Sequence, residues 1–305
     1  MSFRIWTENL PVTKELASRL DLSEYPVIVL QHAVSDTVRF LHHLKHWAGA
    51  KDIHFIAKPY SSKPKRVEAM LQDGVKVHSE KDYWAIERHG YLERIIEEAS
   101  RGSKKNPLIL EVWWCFARPL SHWQNRVIGT VEVTTFGHDR YEKAIDSIGV
   151  PVYSIARSKI KEEEANHVWQ AVTTSLEVLL KELGRDLSSG KVMMIWYGMI
   201  GKAVTTSLRG RGIQTSVYDK SSFRRHEATR RGFQTHENAE NMLADVDMII
   251  SSTGGRWITA EIIQACPDGI ILVSAGSRQN EIDMDFLRTN ASTTTPIHKN
   301  MTRYV

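Results

Sequence analysis

Residues 192–202 constrain the fold of this chain more than any other stretch. The apolar run Val192 to Tyr197 leads into Gly198-Met199-Ile200-Gly201, and a helix-forming segment opens at Lys202. A strand that ends in a glycine turn and restarts as a helix aims backbone N–H groups and a positive helix end at a pyrophosphate. Gly198 permits close approach of the backbone, and Gly201 lets the helix pack against the strand. Asp219 ends the next strand roughly 20 residues on, where a carboxylate can bond a ribose 2′-hydroxyl. This favours NAD over NADP, although Lys220, Arg224 and Arg225 follow directly. The fingerprint's first glycine is replaced by Trp196.

Strands alternate with helices elsewhere too, so parallel β-α units are expected throughout. In the first half, strands are predicted at Pro26 to Gln31, Ile53 to Ala57, from Val75 to His78, Leu108 to Phe116 and around Val150 to Ala156. Helical periodicity marks Ser35 to Trp47, Val67 to Gln72 and a long stretch from Lys161 to Leu183. A second series of strands covers Val192 to Tyr197, Thr215 to Tyr218, Asp247 to Ser252 and Ile270 to Ser274. Gly184 to Gly190 is the best linker candidate. The predicted class is therefore α/β: a Rossmann-like doubly wound parallel sheet at 184–290, preceded by a second α/β domain at 1–183 that ends in the connecting helix, and followed by a tail at 291–305.

Composition excludes several classes. Hydrophobic residues are 42% and charged residues 25%, a globular balance, and 305 residues suit two domains. The net charge of +4 is small, and the basic patch Lys63, Lys65, Arg66 is not organised into a groove, so no nucleic-acid partner is expected. No apolar run approaches the ~20 residues of a bilayer span, and Met1 to Glu8 lacks a signal-peptide core. With only Cys115 and Cys266, no disulfide framework can be built, and a cytoplasmic location is expected. His42, His43 and His46 lack a carboxylate at helical spacing and read as a polar helix face, so no metal is expected. Trp113, Trp114 and Trp123 lie near Arg118, and read as core and interface aromatics.

The order of motifs resembles the adenosylhomocysteinase family. YGMIGKAVTTSLRGRGIQTSVYD, ADVDMIISSTGG and ILVSAGSRQNEIDMDFL are similar to its cofactor domain. Upstream, Gln31-His32 with Asp36-Thr37, Glu132-Val133-Thr134-Thr135, and Pro151 to Asn166 match with weaker identity. The resemblance implies a bound NAD that oxidises a nucleoside 3′-hydroxyl, followed by elimination at C5′ and return of the hydride. It implies Lys161 as the base for the hydroxyl, Glu132 as ribose anchor and His32 near C5′. Thr134, Thr135 and Asn166 would meet the nicotinamide side, with Thr253, Gly254, Ala275 and Gly276 lining the rest of the cofactor site. A small nucleoside-like ligand and a homo-oligomer are implied partners.

Four departures stand against retention of the parent reaction. Ser277 replaces a histidine, Ala165 replaces an aspartate, and Glu111-Val112 leaves one carboxylate where the family has two. The chain also stops at Val305, where family members continue. From the residues alone, Lys161 in KIKEEE also reads as a salt-bridged surface lysine, Glu132 as a solvent-facing strand residue and His32 as structural. The functional expectation is a divergent NAD-using enzyme that oxidises a carbinol. A catalytically inactive nucleotide-binding relative and an ordinary NAD(P) oxidoreductase are the alternatives.

Overall fold

The computed structural model describes residues 10–113, 115–276 and 280–305. It divides into two compact units, Met1–Ser158 and Lys159–Val305. The replaced histidine position, Ser277, and Trp114 lie outside the described residues. Among the described residues no helix is long and apolar enough to cross a membrane.

In the first unit, strands β1 (Val27–Gln31), β2 (Ile53–Ala57), β3 (Lys76–Ser79), β4 (Leu108–Glu111), β5 (Gly129–Glu132) and β6 (Val152–Ser154) form one sheet. Its order is β3-β2-β1-β4-β5-β6, and every pairing is parallel. Helices α1 (Ser35–His46), α2 (Pro64–Gln72), α3 (Tyr91–Ser100) and α4 (Thr135–Ala144) cross between strands. The central strand β1 is apolar at consecutive positions because both faces are covered. Ile28 and Leu30 enter one apolar cluster with Ile95, Ile96 and Ile109, while Val27 and Val29 enter another with Leu41, Phe55 and Met70. The strand order reverses between β1 and β4, which opens a crevice at their carboxyl ends. The predicted strand Leu108 to Phe116 stops at Glu111, because Trp113 takes φ 108° and turns the chain. A left-handed backbone cannot continue a β ladder.

The second unit opens with α5 (Lys159–Glu182). Strands β7 (Val192–Ile195), β8 (Thr215–Tyr218), β9 (Gln234–Thr235), β10 (Met248–Ser251) and β11 (Ile271–Ser274) follow. Helices α6 (Met199–Gly210), α7 (Ser222–Arg230), α8 (Ala260–Ala265) and α9 (Met284–Asn290) connect or cover them. The sheet is parallel, ordered β11-β10-β7-β8-β9, with its switch point between β7 and β10. Val192 and Met194 face one apolar cluster, and Met193 and Ile195 face the other. Leu176 and Leu180 of α5 share the first cluster with Val204 and Leu208 of α6. That packing is why the units separate at Ser158, before the long helix rather than after it. The tail closes as an antiparallel hairpin of β12 (Thr294–His298) and β13 (Met301–Tyr304).

Candidate functional site

Each sheet carries its chemistry at the carboxyl edge beside its switch point. In the first unit the register sets Glu111 of β4 directly opposite Glu132 of β5, and both carboxylates are buried. Glu132 Oε1 accepts from the Thr134 N–H at 2.6 Å, the Thr134 hydroxyl at 2.6 Å and the Trp113 N–H at 3.3 Å. Thr134 in turn caps α4, its hydroxyl oxygen accepting from the Gly137 N–H at 3.0 Å. Glu132 is thus neither solvent-facing nor open; it fixes the turn into α4. Thr135 is exposed at the first position of that helix.

Glu111 accepts from the Tyr141 hydroxyl and from the Phe116 N–H. Burial first, and the Glu132 charge second, push its carboxyl up to about 8, against the pull of those hydrogen bonds. His32, just past β1, meets the Ser61 hydroxyl through Nδ1 at 2.7 Å. Burial, and then the charge of Lys58, bring it down to about 4, so it is neutral near pH 7. Lys58 is buried, with its ammonium 4.9 Å from the Trp113 ring centre. Tyr60, Tyr83, Trp113 and Phe136 continue from His32 as a chain of ring contacts, at centroid spacings of 5.4, 5.7, 5.7 and 4.9 Å. An aromatic wall of this kind suits a planar ligand base. The sequence reading missed Glu111's partner, Lys58 and this wall.

The two titrations give a pH signature. Between about 4.5 and about 8 the folded chain holds a proton on Glu111 that the unfolded chain has released. Stability therefore falls as pH rises through that window. His32 and His78 act oppositely below 6.5, because burial keeps them neutral while the unfolded chain binds protons. The slopes oppose each other at lower pH, and above about 6.5 the histidines no longer offset the fall that Glu111 contributes. The expected result is a melting temperature that declines from about pH 6.5 to 8, and Glu111→Gln should flatten the decline; a thermal-melt series across pH checks it.

In the second unit Gly198 is the N-cap of α6, and Met199 and Ile200 form its first turn. A Cβ on Gly201 would lie 2.0 Å from the Trp196 carbonyl oxygen, so strand and helix meet backbone to backbone there. Trp196 has φ 83°. The turn keeps the left-handed conformation that glycine normally supplies, and tryptophan holds it under strain of order 1–3 kcal/mol. Its indole lies over Gly198, near Trp257 at 5.9 Å, with Lys220 and Arg224 about its ring at 5.5 and 5.4 Å. Asp219 is 1% exposed and is turned into the loop. Its Oδ2 accepts from the Tyr197 N–H at 2.7 Å and its Oδ1 from the Ser221 N–H at 2.9 Å. It locks the turn rather than presenting an open carboxylate to a ribose.

Thr253, Gly254, Ala275 and Gly276 do converge, and an unforeseen residue joins them. The buried Glu281 accepts from the Gly254 N–H at 2.7 Å, the Gly276 N–H at 3.3 Å and the Ser274 hydroxyl at 3.3 Å. Burial raises its carboxyl above the usual range. The Thr253 hydroxyl folds onto Gly255, and the Ala275 N–H donates to the Ser251 carbonyl. Lys161 on α5 pairs with Glu164, and Asn166 is exposed beside Glu163. Ala165, at the family's aspartate position, is buried.

The residues fit a dinucleotide on two observations. Gly198 caps α6 without any side-chain cap, leaving its first N–H groups for a ligand. Ser251 Oγ, Ser252 Oγ and Asn280 Oδ1 are buried at the end of β10 and the adjacent turn, with no hydrogen-bond partner among the described residues. Buried polar atoms of this kind call for a partner.

Residues 169–305 match the family model of the S-adenosyl-L-homocysteine hydrolase NAD binding domain. An S-inosyl-L-homocysteine hydrolase of Methanopyrus kandleri is 26% identical over 236 residues, covering 75% of this chain and 54% of the relative. An adenosylhomocysteinase of Sulfolobus acidocaldarius is 22% identical, covering 98% of this chain and 72% of the relative. The chain thus spans about half the length of the first of these. A phosphoglycerate oxidoreductase structure from Vibrio cholerae has a similar fold, with TM-score 0.52 and 14% identity over 87% of this chain and 79% of that one. The matched model agrees with the glycine loop and the turns that Glu281 ties together: residues 169–305 are similar to the NAD binding domain of the S-adenosyl-L-homocysteine hydrolases, and the two hydrolase relatives extend the similarity at 22–26% identity.

Proposed function

We propose that the chain uses NAD to oxidise a carbinol on a nucleoside or similar small ligand. The observation that carries this reading is the parallel construction of the two sheet edges: an uncapped glycine-loop helix in one unit, and an aromatic wall with neutral His32 and paired acids in the other. When bound, NAD would accept a hydride from the carbinol carbon. Gly198, Met199, Ile200 and Gly201 would hold its pyrophosphate through backbone N–H groups. Thr253, Gly254, Ala275 and Gly276, shaped by Glu281, would line the rest of its site, and Ser251 and Ser252 would supply hydroxyls.

In the first unit, the Ser61 hydroxyl points at the Lys58 carbonyl, 3.5 Å away. His32 Nδ1–H then donates to Ser61, and Nε2 remains a neutral proton acceptor. The aromatic wall from Tyr60 to Phe136 would stack a base. Lys161 is the base for the ligand hydroxyl by family position; it must first give up the proton that it shares with the Glu164 carboxylate, and its free amine then takes the hydroxyl proton. Incubation of the NAD-loaded protein with a panel of nucleosides should produce the absorbance of reduced nicotinamide, and Lys161→Ala should abolish it. Unchanged reduction in that variant contradicts the assignment of Lys161. Ala165 and Trp196 favour a second reading, a binding protein without turnover, which predicts NAD binding with no reduction by any nucleoside.

A further inference from the structure

The first unit assembles three metal-ligand side chains at the end of its sheet away from Glu111 and Glu132. His42 and His46 stand one helical turn apart on α1, their ring centres 4.2 Å apart. Asp73, which ends α2, meets both: His42 Nδ1 lies 3.0 Å from Oδ2, and His46 Nε2 lies 2.8 Å from Oδ1. The position of Asp73 is itself fixed, since its N–H donates to the Ala69 carbonyl and its own carbonyl accepts from the Lys45 ammonium. Its side chain is 10% exposed, that of His42 18% and that of His46 45%, so the group is half-covered and reachable from solvent.

Two further groups of histidine and carboxylate side chains each meet a cation of the chain through at least one member. At His54, His78 and Glu98, the Lys76 ammonium lies 3.3 Å from His54 Nε2 and 2.9 Å from Asp52. At His138, Asp139 and Glu142, Arg157 bridges the two carboxylates at 2.9 and 3.8 Å. At Asp73, among the described residues, the carboxylate oxygens meet imidazoles only, and the nearby Lys45 is engaged by a backbone carbonyl instead.

We propose that His42, His46 and Asp73 bind a divalent transition metal, zinc in the first instance. Two imidazoles and one carboxylate form a donor set for such ions and leave a coordination position for water. The ligands come from the ends of α1 and α2, and the ion would pin these helices to each other. Its role is structural, because the ligand crevice of a doubly wound sheet lies at the opposite edge.

The full-length protein, stripped with chelator and titrated with zinc chloride in a calorimeter, should bind one equivalent per chain. Cobalt(II) should give a visible absorption band from the same site, displaced by zinc. Asp73→Asn and His46→Asn should each weaken binding at least about tenfold. His46 is half-exposed, so its variant folds even if the Asp73 change disturbs α2. His138→Asn should leave binding unchanged. No zinc binding by the wild-type chain, or binding by both ligand variants as tight as the wild type's, overturns the proposal.

Discussion

Gly201→Ala is expected to destabilise the second unit by roughly 2–4 kcal/mol and to abolish nucleotide binding. The added methyl would sit 2.0 Å from the Trp196 carbonyl oxygen, which is backbone and cannot rotate aside. Relief requires α6 to slide off β7, and that carries the Gly198 N-terminus away from the phosphate position. Gly210→Ala is the matched control. It lies at the other end of the same helix, a Cβ there meets nothing within 4 Å, and it should be neutral or stabilising by about 0.5–1 kcal/mol. Denaturant melts of the two variants, with NAD titration of each, test both halves of the claim. Equal stability of the two would mean that strand and helix do not pack as described.

Glu132→Ala has the next largest expected effect. It removes the acceptor of two N–H groups and one hydroxyl at a position with no solvent exposure. Leaving such a network unsatisfied costs about 3–5 kcal/mol. It also removes the negative charge that helps hold Glu111 protonated, so the decline in stability from about pH 6.5 to 8 should shrink. A pH series on the variant separates this from plain loss of packing, which would lower every point equally.

The two units differ in how much the sequence disclosed, and the reason is range. The glycine loop, its helix and the strand before it are local chemistry, and Gly198, Gly201 and the turn into α6 stand where their spacing puts them. Even Trp196 behaves as the missing glycine requires, keeping φ positive. Asp219 was found at its strand end, but its orientation depends on the Tyr197 N–H of the neighbouring turn, which spacing does not show. Glu281 lay within a segment already singled out, yet its role depends on two glycine turns meeting over it. The Glu111–Glu132 pair rests on the register of β4 and β5, and the Asp73 contact with His42 spans 31 residues. Long-range pairing of this kind leaves no periodicity to read. Strand β4 fell short of its predicted end because apolar content alone could not reveal the left-handed turn at Trp113.

The central claim is that the second unit holds one NAD despite the tryptophan in its phosphate loop. Denaturing release and mass analysis of the co-purified nucleotide, followed by calorimetric titration of the emptied protein, tests it most directly. The account predicts NAD or NADH recovered near one per chain, or one equivalent bound on titration. An empty protein that gives no heat with added NAD would contradict it, and would mean that Trp196 has closed the loop to dinucleotides.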